Sequence, residues 1–443
     1  MAIWQRLNPL RTRLLLLLSV IGPGIITTNV DNDAGGITTY SVAGAHYGYK
    51  LLWMLPLAGL ALFFAQGMSA RLGVVTGKGL GDLIREKTGI RWTALIIGVM
   101  VFTNFANTVS EFAGVAASME IFGISKYISV PLAALGVWLL IVKGTYKSVE
   151  RVFLFASAFY LAYAVSAILA RPPWPTVFQA ALTPSFHFEA GYVTIFITII
   201  GTTVAPWQQF YQQSAIVDKG LEAADYGYEL VDVVVGIVYA ILVVAFITIT
   251  CAATLFANGV HIETAKDAAM SLRPLAGAHA ATLFALGLLN ASLFAAAVLP
   301  LSTAYVVCEA FGWESGVSYT FKEAPMFFSI HSALIVLGAA VILLPIKSLV
   351  QAMLASQTLN GVVLPIVLIM MLHLVNDKQL LGRFVNGRVY NVLAWAIVVA
   401  LIALTVILVV TTFFPGLLGG GSPTALHRNP GQPSICLPLL PCI

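Results

Sequence analysis

About eleven apolar runs, each long enough to cross a bilayer, divide this 443-residue chain. A membrane helix needs about 20 apolar residues. The runs centre on residues 14–45, 50–72, 93–121, 128–142, 152–170, 191–214, 229–256, 279–310, 326–344, 349–373 and 389–414. A membrane barrel would show alternating segments of about ten residues instead. These runs are continuous, so an all-α membrane protein is expected. Only 9% of the residues are charged, against about 25% in soluble domains. That excludes an ordinary soluble enzyme, a disordered chain and a nucleic-acid binder. The net charge of +4 is too small to imply an anionic partner.

Basic residues in short connections set the orientation. With the N-terminus cytoplasmic, most Lys and Arg fall inside, among them Arg6, Arg11, Arg13, Arg71, Lys78, Arg85, Lys87, Arg91, Lys147, Arg151, Arg383 and Arg388. Eleven spans then put a tail of disordered composition, 415–443, outside. The apolar run after Arg13 continues into polar residues with no small-residue cleavage site, so the first helix is expected to be retained. Cys251 and Cys308 lie in apolar runs, and no cysteine pair has zinc spacing. Cys436 and Cys442 would form a disulfide only if the tail meets an oxidising compartment.

Two runs are interrupted. The first reads Gly22-Pro-Gly-Ile-Ile-Thr-Thr-Asn-Val-Asp31-Asn-Asp33-Ala-Gly-Gly36, the second Gly201-Thr-Thr-Val-Ala205-Pro206-Trp-Gln-Gln209. They fall in the first and sixth spans, at the start of two blocks of five. Broken helices at matching positions of two halves point to an inverted-repeat secondary transporter. The halves are 12–170 and 191–373, with an extra helix at 388–414. Unwound carbonyls must face protein or water rather than lipid. Beside carboxylates they suit a hard cation.

A carboxylate at the bilayer centre costs at least ~3 kcal/mol on insertion scales, so Asp31 and Asp33 need an ion or protons. Either Asp could instead cap the helix beginning near Gly36. Of the two, Asp31 is the better capping candidate and Asp33 the better ligand. Glu111 shares a helix face with Asn104, Asn107 and Thr108, a stripe suited to a pathway or to hydrogen bonds between helices. Gln357 and Asn360 mark the tenth span similarly, and Asn290 reads as structural. His46, His331 and His373 are expected at the membrane interface, as are Trp53, Trp92, Trp174 and Trp313.

Several segments resemble the NRAMP metal-ion transporters. These are Gly22-Pro-Gly24 with its break, His46-Tyr-Gly-Tyr-Lys-Leu-Leu-Trp53, Arg71-Leu-Gly-Val-Val-Thr-Gly-Lys-Gly-Leu80, Glu111-Phe-Ala-Gly, Ser356-Gln357 and Leu364-Pro365. The resemblance runs from about residue 14 to 414. It implies a LeuT-type fold of two inverted five-helix repeats with discontinuous helices 1 and 6.

The departures narrow it. Where the family reads Asp-Pro-Gly-Asn, this chain has Asp33-Ala34-Gly35-Gly36. The family's Met-Pro-His is Ala205-Pro206-Trp207. Its second histidine aligns with Gln212, its third-span Asp with Thr108, and its ninth-span arginine pair falls near Phe327 and Phe328. Loss of the methionine sulfur removes a bias against Mg²⁺, and Mg²⁺ usually keeps several waters. The resemblance therefore implies the branch of NRAMP-related magnesium transporters. It implies a roomy oxygen site drawn from Asp33, Asp31, Gly36, Thr202, Thr203, Ala205, Gln208 and Gln357, with Glu111 nearby. Mg²⁺, with Mn²⁺ also admitted, is expected as cargo, with little proton coupling, no cofactor and no enzymatic activity. The competing readings are proton-coupled Mn²⁺ or Fe²⁺ import and a sodium-coupled carrier with Trp207 and Phe210 lining a larger pocket. An aspartyl protease using Asp31 and Asp33 fits poorly, because a dyad needs two carboxylates facing across a site.

Overall fold

The computed structural model describes residues 23–143, 160–187 and 189–413. Gly22, the basic residues before it, Lys147, Arg151, the start of the fifth span and the tail with Cys436 and Cys442 lie outside the described residues.

The described residues are mostly helical, with no strand among them. The main elements are α1 (Pro23–Val30), α2 (Ala34–Tyr47), α3 (Met54–Thr76), α4 (Leu80–Ile121), α5 (Lys126–Lys143), α6 (Leu161–Leu169) and α7 (Trp174–Leu182). They continue as α8 (Ala190–Thr203), α9 (Pro206–Asp218), α10 (Tyr226–Thr254), α11 (Ala280–Phe311), α12 (Pro325–Leu343), α13 (Leu349–Val375) and α14 (Arg388–Phe413). Eight segments among the described residues are long and apolar enough to cross a membrane. The spans missing from that set are the first and sixth, which are broken, and the fifth, whose start is not described. α4 is longer than the third run because a helix over 80–88 joins the span across Gly89, whose φ of 72° reorients the chain.

The breaks occur where local chemistry forbids a continuous helix. α8 ends at Val204, Ala205 is extended (φ −68°, ψ 140°), and Pro206 begins α9. Proline pushes its predecessor to extended backbone, and at a first helical position its missing N–H costs nothing. In the first span, Asp31-Asn32-Asp33 separates α1 from α2.

Two long helices hold the broken ones. α10 packs along α1, α2 and α3, while α13 packs along α8 and α2. α5 and α14 are the least buried spans and present Leu132, Leu135, Val392 and Val399 outward. The α8–α13 contact is backbone against backbone. A Cβ on Gly201 would stand 2.2 Å from the Gln357 carbonyl and 2.3 Å from the Gly361 nitrogen, and one on Gly361 would stand 2.6 Å from the Ile197 carbonyl. Lipid supplies no hydrophobic drive between helices, so small residues that admit close approach hold such interfaces.

Candidate metal site at the two helix breaks

Asp33 is the N-cap of α2: its backbone is extended and its Oδ1 accepts from the Gly36 N–H at 2.5 Å. Glu111 completes the cap, its Oε2 accepting from the Ala34 N–H at 3.1 Å. Capping thus falls to Asp33 and not, as expected, to Asp31. Geometry decides this, because an N-cap immediately precedes its helix and α2 starts at Ala34. Asp31, 2% exposed, has no hydrogen-bond partner on either carboxylate oxygen. The Asn32 carbonyl, exposed by the unwinding, is satisfied by the Tyr160 hydroxyl at 2.8 Å.

Gln357 reaches Asp33 from α13. Its Nε2 donates to both Asp33 oxygens, at 3.2 and 3.1 Å. Its Oε1 accepts from Asn360 Nδ2 at 2.9 Å, and Asn360 exchanges two bonds with Asn107. In this arrangement Gln357 steadies Asp33 instead of offering an oxygen. It becomes a ligand only when its amide turns over. The polar stripe on α4 divides accordingly: Asn104 bonds Thr303 and Asn107 bonds Asn360 between helices, Thr108 bonds the Asn104 carbonyl, and Glu111 alone reaches the break.

The sixth-span residues differ among themselves. Thr203 is committed, bonding the Ile199 carbonyl and the Tyr40 hydroxyl. The Ala205 carbonyl accepts from the Gln208 N–H at 3.2 Å. The Thr202 hydroxyl and the Gln208 amide are buried without partners. Gly36 is explained by crowding. A Cβ there would meet the Asp31 carbonyl at 2.2 Å, Thr202 Oγ1 at 3.1 Å and Asp33 Oδ1 at 3.2 Å. Three oxygens from both breaks therefore converge on the position where any other residue would carry its side chain. Sulfur is absent from that point. The Met353 thioether, on α13, accepts from the Thr38 hydroxyl at 3.5 Å. No group of three His, Cys, Asp or Glu gathers among the described residues, so any ion here is held by mixed oxygen donors.

Other residues named from the sequence lie in the interior. His331 is fully buried in α12. Trp207 and Phe210 are buried in the core. Phe327 and Phe328 are buried too, Phe327 edge-on to Tyr305 at 4.8 Å. Three buried carboxylates were missed: Glu229, Asp232 and Glu309. Glu309 bonds Ser214 and the Gly81 N–H, joining α9, α11 and α4. Glu229 and Asp232 stand three apart at the start of an otherwise apolar run, a spacing that was available as a signal.

The family model described as Natural resistance-associated macrophage protein-like, Nramp, matches residues 24–411. The chain belongs to the Nramp family. Among its Nramp relatives is the divalent metal cation transporter MntH of Bacillus subtilis, 27% identical over 411 residues, covering 90% of this chain and 93% of that protein. MntH of Ralstonia nicotianae is 28% identical, covering 86% and 88%. The fold matches a crystal structure of the Eremococcus coleocola manganese transporter, bound to an aromatic bis-isothiourea compound, with a TM-score of 0.76 at 20% identity over 94% of this chain and 90% of that one. A nucleobase-cation-symport-1 family transporter in a closed conformation matches more loosely, with a TM-score of 0.56 at 16% identity, covering 88% and 89%. This Nramp chain is an integral multi-pass membrane protein with the LeuT-type fold, its discontinuous helices being the first and sixth.

Proposed function

We propose that this protein imports divalent cations by alternating access, with Mg²⁺ as its main cargo and Mn²⁺ also admitted, and with little or no proton coupling. The N-terminus is cytoplasmic in this reading, and the halves 12–170 and 191–373 rock against each other around the breaks. One observation carries it: the Asp31 carbonyl, Thr202 Oγ1 and Asp33 Oδ1 converge at Gly36 with no sulfur among them. Hard oxygen donors suit Mg²⁺. Asp33 is the principal ligand. Asp31 and Gln208 hold the ion's remaining waters, Thr202 adds its hydroxyl, and Gln357 joins when its amide turns. Ala205 contributes room in place of a side-chain ligand, and Gly36 admits the close approach of the Asp31 carbonyl.

Weak coupling is supported by what stands where the family's proton-pathway residues fall: Trp207 and Gln212 for two histidines, Thr108 for an aspartate and Phe327–Phe328 for an arginine pair. Energetically no coupling is needed. Two charges entering an inside-negative membrane gain about 4.6 kcal/mol per 100 mV, roughly a thousandfold in concentration.

Proton-coupled Mn²⁺ import is the second reading. The name of the Eremococcus coleocola manganese transporter favours its cargo, as does the Met353 sulfur one turn of α13 from Gln357.

Uptake into proteoliposomes separates the two. With an inside-negative potential and no pH gradient, Mg²⁺ is expected to enter and the lumen to keep its pH. Mn²⁺ entry that requires a proton gradient, with no Mg²⁺ signal, would return the protein to the second reading. Ala205→Met is expected to shift preference towards Mn²⁺ and Cd²⁺ by about tenfold, a change of ~1.4 kcal/mol. Competition between Mg²⁺ and Cd²⁺ in the same liposomes checks it, and an unchanged ratio would show that sulfur at this position does not set selectivity. Gly36→Asn is the poorer probe, because its Cβ would collide with the Asp31 carbonyl.

A further inference from the structure

Arg71, near the end of α3, is a buried cation without a counter-ion. It is 9% exposed, and a guanidinium keeps its charge in a protein. The two ion pairs among the described residues, Lys78–Glu86 and Lys87–Asp377, do not include it. Its Nε donates to the Tyr226 hydroxyl of α10 at 3.2 Å. Its Nη1 donates to Asn386 Oδ1 at 2.7 Å and to the Phe384 carbonyl at 3.4 Å. The guanidinium also faces two rings, its Cζ 5.7 Å from the centre of Tyr226 and 5.0 Å from that of Tyr390. Rings and neutral oxygens hold the group in place but leave its charge uncancelled, which is costly for a buried ion. The acids nearest Tyr226 in sequence are used elsewhere. Glu222 and Asp225 form a capping box with each other, and Glu229 is met by the Gln212 amide.

Donors are in surplus at this place. Arginine has N–H groups and no acceptor, so the Asn386 amide must turn its oxygen to Arg71. Its nitrogen is left buried without an acceptor. Among the described residues, Arg71 Nη2 has no acceptor either. The Tyr226 hydroxyl accepts from Nε and keeps its own proton to donate. α14 begins two residues past Asn386, at Arg388, so the positive end of its dipole adds to the same charge.

We propose that Arg71, Asn386 and Tyr226 form a binding site for a phosphate group, supplied by an anionic phospholipid at the foot of α14. A permanent cation with several fixed N–H and O–H donors is the set that recognises phosphate oxygens. The location argues for lipid as the source. α14 is among the least buried spans, and Val389 and Val392 in its first turns are 75% and 69% exposed, as lipid-facing positions are. Arg383 and Arg388, both exposed, flank Asn386 and attract an anionic surface. A head-group phosphate on Arg71 ties α3, α10 and α14 together at one level of the membrane. With the N-terminus cytoplasmic, the lipid belongs to the inner leaflet. That placement alone rests on the import reading, and the binding does not.

Native mass spectrometry of the purified full-length chain, titrated with phosphatidylglycerol, tests the site. Asn386→Asp is the decisive variant. It keeps the side-chain shape and the oxygen on Arg71 but adds the missing negative charge, which repels phosphate. The wild type is expected to retain one phosphatidylglycerol that Asn386→Asp binds at least about tenfold more weakly. The variant's thermal midpoint without lipid should not fall. Thermal unfolding with inorganic phosphate in place of lipid separates the sources. A midpoint raised by phosphate in the delipidated wild type but not in the variant, with equal lipid affinities, would keep the phosphate site and overturn the membrane as its source. Equal lipid affinity and an equal phosphate response in the two proteins would overturn the site itself. Should Asn386→Asp yield no folded protein, Asn386→Ala decides. Loss of the amide donor should weaken the lipid about tenfold, and unchanged affinity overturns the site.

Discussion

Asp33→Ala is expected to reduce divalent-cation uptake to the level of empty liposomes, a loss on the order of 100-fold or more. Asp33 is the carboxylate on which the cap of α2, the Gln357 amide and the convergence at Gly36 all meet. The alanine variant removes charge and cap together, and a lost N-cap alone costs about 1 kcal/mol. Asp33→Asn separates the two effects. Asparagine caps as well as aspartate and has nearly the same shape, so the fold should survive while the charge is lost. Uptake and direct Mn²⁺ binding should both fail in a variant that still purifies as a single species. Uptake near the wild-type rate in Asp33→Asn would remove Asp33 from the ion's path and leave Asp31 to carry it.

Gly201→Val is expected to abolish accumulation of folded protein. Its Cβ would enter the space of two backbone atoms of α13, which cannot rotate aside as a side chain can. Overpacking a well-packed contact costs about 1–3 kcal/mol, occasionally more, and a side chain driven into fixed backbone belongs beyond that usual range. Domains are stable by only about 5–15 kcal/mol, so the expected readout is aggregation on extraction and a sharp drop in the monodisperse fraction. Gly201→Ala should do less damage but still lower the midpoint of thermal unfolding. It should also weaken ion binding, because α8 and α13 carry Thr202 and Gln357 to the same place. A valine variant as stable as the wild type would mean that the two helices do not pack this closely.

The span pattern and both breaks were legible because they are local properties. Hydropathy marks a membrane helix from its own residues, and Pro206 with the residue before it determines where the sixth span unwinds. The roles of single residues were less legible. Asp31 and Asp33 look alike in sequence, and only the start of α2 at Ala34 makes Asp33 the cap. Gln357 was readable as a polar mark, but not which end of its amide meets Asp33. Gly36 suggested a missing ligand and a larger site. The Asp31 carbonyl lies so close to it that a side chain there would force the break to move. The position of His331 near the span's end was readable, but not that packing buries it fully.

From its residues alone this chain is a helical membrane protein with about eleven spans, two of them broken at acidic or proline-containing segments. Those features follow from solvation and from backbone preferences within a few residues. Tertiary structure decided which polar groups meet. Asp33 finds Gln357 across 324 residues, and Gly24 finds Asp232 across 208. Pairings at that separation depend on how helices cross and how closely their backbones approach, and small residues such as Gly201 and Gly361 set that distance. No local window of sequence contains it.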